Sequence, residues 1–300
     1  MNSTKNRNRA NPTFANINLL GKCNVDCYFC LGKDLDDVFG KFNHTSVHFS
    51  EWKNFDTFIE QCKQAGIKNL YVTGQNTDSL IYKHLDELID TMQNVHGFDV
   101  GIRTNGYLAP RLFPTIRKCR RSVGYSIHSM DSEVNWTIMK RKDIPDWKTI
   151  IPSSGNRVRV QIVVNEHNEK EVLPIIEYAS QFPNVGYIQV RRISTDHRYN
   201  QLSKDQIVFA NLLKEVNEKF PRMEDFYQAP QYNMFGKKVC WWATVLTSIG
   251  SYNYYTDGSI NKDYFVIEGY EKANDFYDPA KDEGNKEMAV NPYKLDTSKK

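Results

Sequence analysis

Six short runs of alternating or β-branched residues, at 13–20, 69–73, 99–104, 123–129, 157–164 and 185–191, recur along the first two thirds of this 300-residue chain. Helical periods follow them at 51–65, 80–95, 112–119, 132–139, 169–181 and 204–220, and no two-residue hairpin turn joins one run to the next. Strands without hairpins between them run parallel and need crossovers, which the helices supply. The pattern predicts an α/β fold, a partial (β/α)6 TIM-like barrel spanning 13–220, with ligands at the C-terminal ends of its strands. Residues 221–270 break the alternation. They are aromatic and irregular at 223–240, with short strands after 241 broken by the hairpin signal Asp257-Gly258, and they read as a small C-terminal cap. Residues 1–12 read as a flexible N-terminal arm without a secretory signal, and 271–300 as a mobile charged tail.

The first strand leads straight into residues 22–31, KCNVDCYFCL, which set Cys23, Cys27 and Cys30 in a CxxxCxxC spacing. Three thiolates on one short loop can hold three irons of a [4Fe–4S] cluster and leave the fourth iron open to a small molecule. The competing reading is a zinc site completed by His44, His48 or Cys62. Zinc motifs, however, usually pair one two-ligand motif with another, and no second pair follows this triplet. Half of the six cysteines in one loop of a long chain do not make a disulfide framework either, and they fit a reducing, cytoplasmic compartment and an oxygen-sensitive centre. Cys62 and Cys119 on helix faces, and Cys240 in the cap, read as buried inert thiols.

The cysteine loop resembles the cluster motif of the radical S-adenosylmethionine (SAM) superfamily, and residues 13–195 resemble its domain. The resemblance implies two cofactors, a [4Fe–4S] cluster and SAM. The methionine amine and carboxylate of SAM chelate the free iron, and an electron from the cluster cleaves the cofactor to a 5′-deoxyadenosyl radical. Phe29 takes the place of the aromatic that lies near the adenine. The Gly-Gly-Glu type of turn after the second strand is matched by Gly74 and Gln75, with an amide where the family has a carboxylate. The third strand ends in Arg103 and then Thr104-Asn105-Gly106, a sequence common in the family, and Arg103 faces either solvent or an anion. Ser126 matches a serine that meets the SAM carboxylate or ribose. His128 stands where relatives carry an acid, as a substrate ligand, a proton donor or a core histidine. Arg141 is the positional match for the arginine of the carboxylate clamp, and Gln161 and Asn165 fall where ribose hydroxyls are held. Arg191 and Arg192 either hold a substrate phosphate or carboxylate or cap the sheet, while Tyr254 and Asp257, with Tyr252 and Tyr255, either wall the substrate space or serve as core. The cap resembles the extension of SPASM/twitch-type members, but its single cysteine, Cys240, cannot build an auxiliary cluster.

A net charge of +3 is too mild to argue for nucleic acid, and no run approaches the roughly 18 apolar residues that a membrane span needs. The expectation is an enzyme that abstracts hydrogen from a small metabolite, phosphorylated or nucleoside-like, with an external one-electron donor such as flavodoxin or ferredoxin. Modification of a peptide or RNA, and a zinc-stabilised binding protein without turnover, are the alternatives.

Overall fold

Valines and isoleucines at every second position of VRVQIVV (158–164) bury one face of the strand and leave the other partly exposed. The same two-sidedness governs the whole sheet. The computed structural model describes residues 13–30, 43–155, 157–193, 199–226, 229–242 and 251–261. The elements in order are β1 (Phe14–Leu20), α1 (Phe55–Gln64), β2 (Asn69–Gln75), α2 (Leu85–Asp90), β3 (Asp99–Thr104), α3 (Phe113–Lys118), β4 (Val123–Ser126), α4 (Ser132–Met139), α5 (Trp147–Ser153), β5 (Val158–Val164), α6 (Val172–Ser180), β6 (Val185–Arg192), α7 (Tyr199–Lys219), β7 (Gln231–Met234), β8 (Lys237–Trp242), β9 (Ser251–Tyr255) and β10 (Ile260–Asn261).

They form one open ten-stranded sheet in the order β10-β9-β1-β2-β3-β4-β5-β6-β8-β7. From β9 through β8 every neighbouring pair is parallel, and only the outermost strands, β10 and β7, pair antiparallel. One face is apolar: Ile17, Leu19, Leu70, Val72, Val100, Ile102, Val160, Ile162, Ile188 and Val190 join a single core with Phe58 and Ile59 of α1, Ile175 and Ile176 of α6, and Phe209 and Val216 of α7. Each such side chain contributes roughly 1.5–3 kcal/mol by leaving water. The opposite face carries Asn16 and Asn18 of β1, Arg103 of β3, Ser126 of β4, and Arg159 and Gln161 of β5, which the period of two sets against that core.

The expected six-stranded parallel core is present, and its third strand has the expected bounds. The expected cap differs. β8 adds to β6 and β9 adds to β1, so the strands after residue 221 form two hairpins that extend opposite ends of the sheet instead of one separate cap. Asp257-Gly258 does turn a hairpin, between β9 and β10. A second hairpin, β7 to β8, turns on Phe235 and Gly236, both at positive φ. Phenylalanine in the left-handed region gives no turn signal in sequence, which is why 223–240 reads as irregular. The proposed arm at 1–12 and tail at 271–300 lie outside the described residues, and among the described residues no helix is long and apolar enough to cross a membrane.

Of the two readings left open for it, Tyr254 takes the core one. It points to the apolar face, is 0% exposed, packs between Trp52, Phe55 and Phe58, and donates its hydroxyl to Lys53 O at 2.8 Å. It is core and not a wall of a substrate space. Asp257 likewise caps its own turn, accepting from Ser259 N–H and Oγ. Tyr254→Ala should therefore lower unfolding free energy by about 3–5 kcal/mol in urea titrations, and Tyr254→Phe by about 1 kcal/mol. An effect of Tyr254→Phe on substrate KM without loss of stability would contradict the placement.

Candidate functional site

The loop after β1 is held from four directions. Thr77, just past β2, donates to Lys22 O at 2.9 Å, and Asn105, just past β3, donates to Asn24 Oδ1 at 2.7 Å and approaches Cys23 Sγ at 3.7 Å. From the third side, Asp26 N–H and Tyr28 N–H bond to the carbonyls of Met139 and Ile138 at 2.9 and 3.0 Å. These belong to the last turn of α4, whose carbonyls have no partner within the helix; Lys140 in the left-handed region ends it there. From the fourth, the Tyr28 hydroxyl reaches the Asp205 carboxyl on α7 at 3.3 Å.

Behind Asn105 lies Asp78, 4% exposed, which caps the turn Ser79–Ile81 by accepting from Leu80 N–H and also accepts from Thr104 Oγ at 2.8 Å and Asn105 N–H at 2.6 Å. Burial raises its pKa despite those bonds. Burial, with Asp78 nearby, also pushes the Cys23 thiol up to about 12. Such a thiol stays protonated until a metal displaces the proton.

The donor set fits an iron–sulfur cluster better than a zinc ion. Among the described Cys, His, Asp and Glu, only His48, His84 and Glu87 bring three ligand atoms within 4.8 Å of one another. Zinc–sulfur bonds of ~2.3 Å would hold tetrahedral sulfurs about 3.8 Å apart, closer than the three thiols of the loop come as a group. The fourth ligands a zinc site would need are engaged elsewhere: His44 Nδ1 lies 2.8 Å from Thr256 O, His48 bonds Ser50 and Glu87, and Cys62 is buried in the main core. Cys119 is in that core as well, and Cys240 packs with Ala229 and Trp242.

Several expected ligands prove to be spoken for. Arg141 makes a two-point pair with Asp143, stacks 4.6 Å over the Tyr107 ring and donates to Asn24 O at 3.2 Å, so it braces the cysteine loop instead of standing free as a carboxylate clamp. Asn165 closes its own turn, its Oδ1 accepting from the N–H groups of His167 and Asn168 and its Nδ2 donating to Val163 O. His128 is 4% exposed, accepts from Val163 N–H at Nδ1, and is lowered by burial to a pKa of about 3. It is a neutral core histidine with Phe29 edge-on at 5.0 Å, which does not suit proton transfer. Gly74 is required by its own turn, since a Cβ there would lie 1.9 Å from Thr77 O.

Other expected residues do meet on the polar strand face. Ser126 of β4 and Gln161 of β5 are register partners near its C-terminal end. Gln75, 4% exposed, donates to Asn18 Oδ1 at 3.3 Å. Phe29 packs with Ile138, Met139 and Ile193 under the cysteine loop. Arg103 and Arg191 lie on the polar face of β3 and β6, opposite Gly124 and Trp242. Asp78, Asn105 and Asp205 were not singled out as site residues. The legible signals are the Asp78 side chain ahead of a helical turn, an N-cap pattern, and the Thr104-Asn105-Gly106 turn that carries Asn105.

A family model described as Radical SAM superfamily matches residues 17–181, more than half of the chain. The chain is similar to the GTP 3′,8-cyclases of Synechocystis (21% identical over 213 residues, covering 68% of this chain and 61% of the relative) and of Syntrophomonas wolfei (21% over 238 residues, 77% and 68%). It thus spans about three fifths of the first relative's length. In fold it resembles the crystal structure of Streptococcus suis SuiB bound to S-adenosylmethionine, with TM-score 0.55 and 13% identity, covering 87% of this chain and 62% of that one. The SuiB structure bound to its precursor peptide SuiA gives TM-score 0.55 at 12% identity, covering 89% and 65%.

The latch between Tyr28 and α7 has a pH signature. Burial raises the Asp205 carboxyl from 3.8 to about 6, outweighing its bonds from Glu166 N–H and Tyr28. A carboxyl with a raised folded pKa stabilises fully below its unfolded value and loses that contribution as the pH climbs through the folded one. Relative to Asp205→Asn, the wild type should lose up to ~3 kcal/mol of unfolding free energy between pH 4 and 7. A pH-independent difference between the two proteins would contradict this.

Proposed function

The chain belongs to the radical SAM superfamily, and we propose that it cleaves SAM reductively and uses the resulting radical to take a hydrogen atom from a small metabolite. One arrangement carries this reading: Cys23, Cys27 and Cys30 stand on a single loop at the C-terminal end of β1, braced from β2, β3, α4 and α7, at the head of a polar strand face. When bound, a reduced [4Fe–4S] cluster supplies the electron that breaks the S–C5′ bond of SAM and releases methionine.

The chain's own residues supply position and exclusion. The three thiolates would hold the cluster, and the Asn105 amide beside Cys23 Sγ directs an N–H toward that sulfur. On the polar face, the Ser126 hydroxyl and the Gln161 amide are placed for the carboxylate or ribose of SAM, and Gln75 for its amine. Phe29, with Ile138, Met139 and Ile193 behind it, offers an apolar wall to the adenine. With SAM bound, the radical chemistry would take a hydrogen atom from a substrate C–H bond, so alignment and exclusion of competing donors are the protein's task.

The similarity to GTP 3′,8-cyclases supports a phosphorylated or nucleoside-like substrate, and the chemistry requires an external one-electron donor of the flavodoxin or ferredoxin kind. Anaerobic reconstitution tests the reading. The wild type should take up about four irons and four sulfides per chain and release 5′-deoxyadenosine only with reductant, and Cys27→Ala should lose both. Stoichiometric zinc without a cluster, or 5′-deoxyadenosine release unchanged in Cys27→Ala, would overturn it.

A further inference from the structure

Three strands at the middle of the polar face present an unusual row. Arg103 on β3 and Arg159 on β5 are both register neighbours of Gly124 on β4. A Cβ at Gly124 would lie 3.3 Å from Arg159 Nη2 and 3.5 Å from Arg103 Cγ, so the glycine opens the space the two side chains share. On β2, Tyr71 lies under Arg103, whose Cζ is 4.9 Å from the ring centroid, and Gly101 opens space for that ring in turn.

The two arginines are half-buried, with little to satisfy their shielded atoms. Both Nε atoms are shielded from solvent without a hydrogen-bond partner. Among the described residues, the one side-chain hydrogen bond that either makes runs from Arg159 Nη2 to Gln161 Oε1 at 3.3 Å. Among the described residues no carboxylate pairs with either arginine. Burial, with Arg103 beside it, lowers the pKa of Arg159 to about 9; against the effect of burial, the Arg103 charge, a side-chain hydrogen bond from Arg121 and the Arg159 charge hold the Tyr71 phenol below its ordinary value. Two like charges set side by side on half-buried side chains without a counter-ion are costly in a fold that has no other use for them.

We propose that Arg103 and Arg159, with Tyr71 alongside, form an anion subsite on the polar face that holds a phosphoryl or carboxylate group of the substrate. Each guanidinium is a fork of parallel N–H donors matched to paired oxygens, and two forks across one glycine suit a group that accepts from both. The subsite lies one two-residue repeat, about 6.6 Å, down the strands from the Ser126–Gln161 rung. An anion there would hold the substrate beneath the position proposed for SAM. The proposal rests on the reading that this face receives the substrate.

Its test uses the full chain, reconstituted anaerobically, with thermal midpoint and calorimetric titration as readouts and iron content measured in parallel. Phosphate, pyrophosphate and malonate are the probes. At least one should bind saturably and raise the midpoint, phosphate and pyrophosphate alone marking a phosphoryl site and malonate alone a carboxylate site. Without anion, Arg159→Met should unfold at the same temperature as wild type or higher, because it removes one of two neighbouring like charges, and its anion affinity should fall about tenfold or more. Arg159→Lys, which keeps the charge and loses the fork, should weaken binding severalfold and carries the comparison if the methionine variant folds poorly. Arg111→Gln, on an exposed turn, should bind as wild type does. A wild type that holds its cluster and cleaves SAM yet responds to none of the three anions, or responds no better than Arg159→Met, overturns the subsite and leaves the radical reading standing. Loss of the cluster would instead strike that earlier reading.

Discussion

A carboxylate shut away from water must find its donors in the protein, and Asp78 finds them on two strands. It accepts from Leu80 on its own side and from Thr104 and Asn105 at the end of β3. Those bonds fix the backbone of the Thr104-Asn105-Gly106 turn, and the fixed turn aims the Asn105 amide at Asn24 and Cys23. The position of the first cysteine thus depends on a charge with no direct contact to it that would count as coordination. Remove that charge, and the link between two strand ends and the metal-binding loop is cut. The bonds from the loop's N–H groups to the last carbonyls of α4 work to the same end, since groups orphaned by the helix become the anchor of the loop.

The sheet separates two tasks by the period of its strands. The apolar residues of β1 to β6 face the helices and hold the fold together, while the residues between them face the other way and are free to be polar. Glycines at 101 and 124 lie on this second face and leave room where neighbouring strands carry a tyrosine and two arginines. The cysteine loop stands at one end of that face and the arginine pair about halfway along it. A cofactor at the loop and a charged substrate group at the arginines would bring the two toward each other along the strands.

Much of this was legible in the chain. Period-two runs separated by helices do specify parallel strands, and CxxxCxxC after the first strand does specify where the thiols stand. What could not be read was which polar residues spend their hydrogen bonds on the protein itself. Arg141 has the right position for a carboxylate clamp, but Asp143 two residues on takes its fork. Asn165 is consumed by an Asx turn, and His128 by a backbone N–H on the next strand. Arg159 gives no signal because a charged residue inside a β-branched strand looks solvent-exposed until the glycine beside it and the arginine across that glycine are known. The C-terminal strands were misplaced for a related reason: local pattern shows that a segment is extended, but not which distant edge it joins.

The central claim is that three thiolates on this loop leave one iron of a cluster open to SAM at the head of the polar face. Electron–nuclear double resonance on the reduced, reconstituted protein with SAM labelled with ¹⁵N at the amine and ¹⁷O at the carboxylate tests it most directly. The account predicts hyperfine coupling from both labels to the cluster, lost when SAM is replaced by methionine-free 5′-deoxyadenosine. A cluster that shows neither coupling while SAM is bound would contradict it.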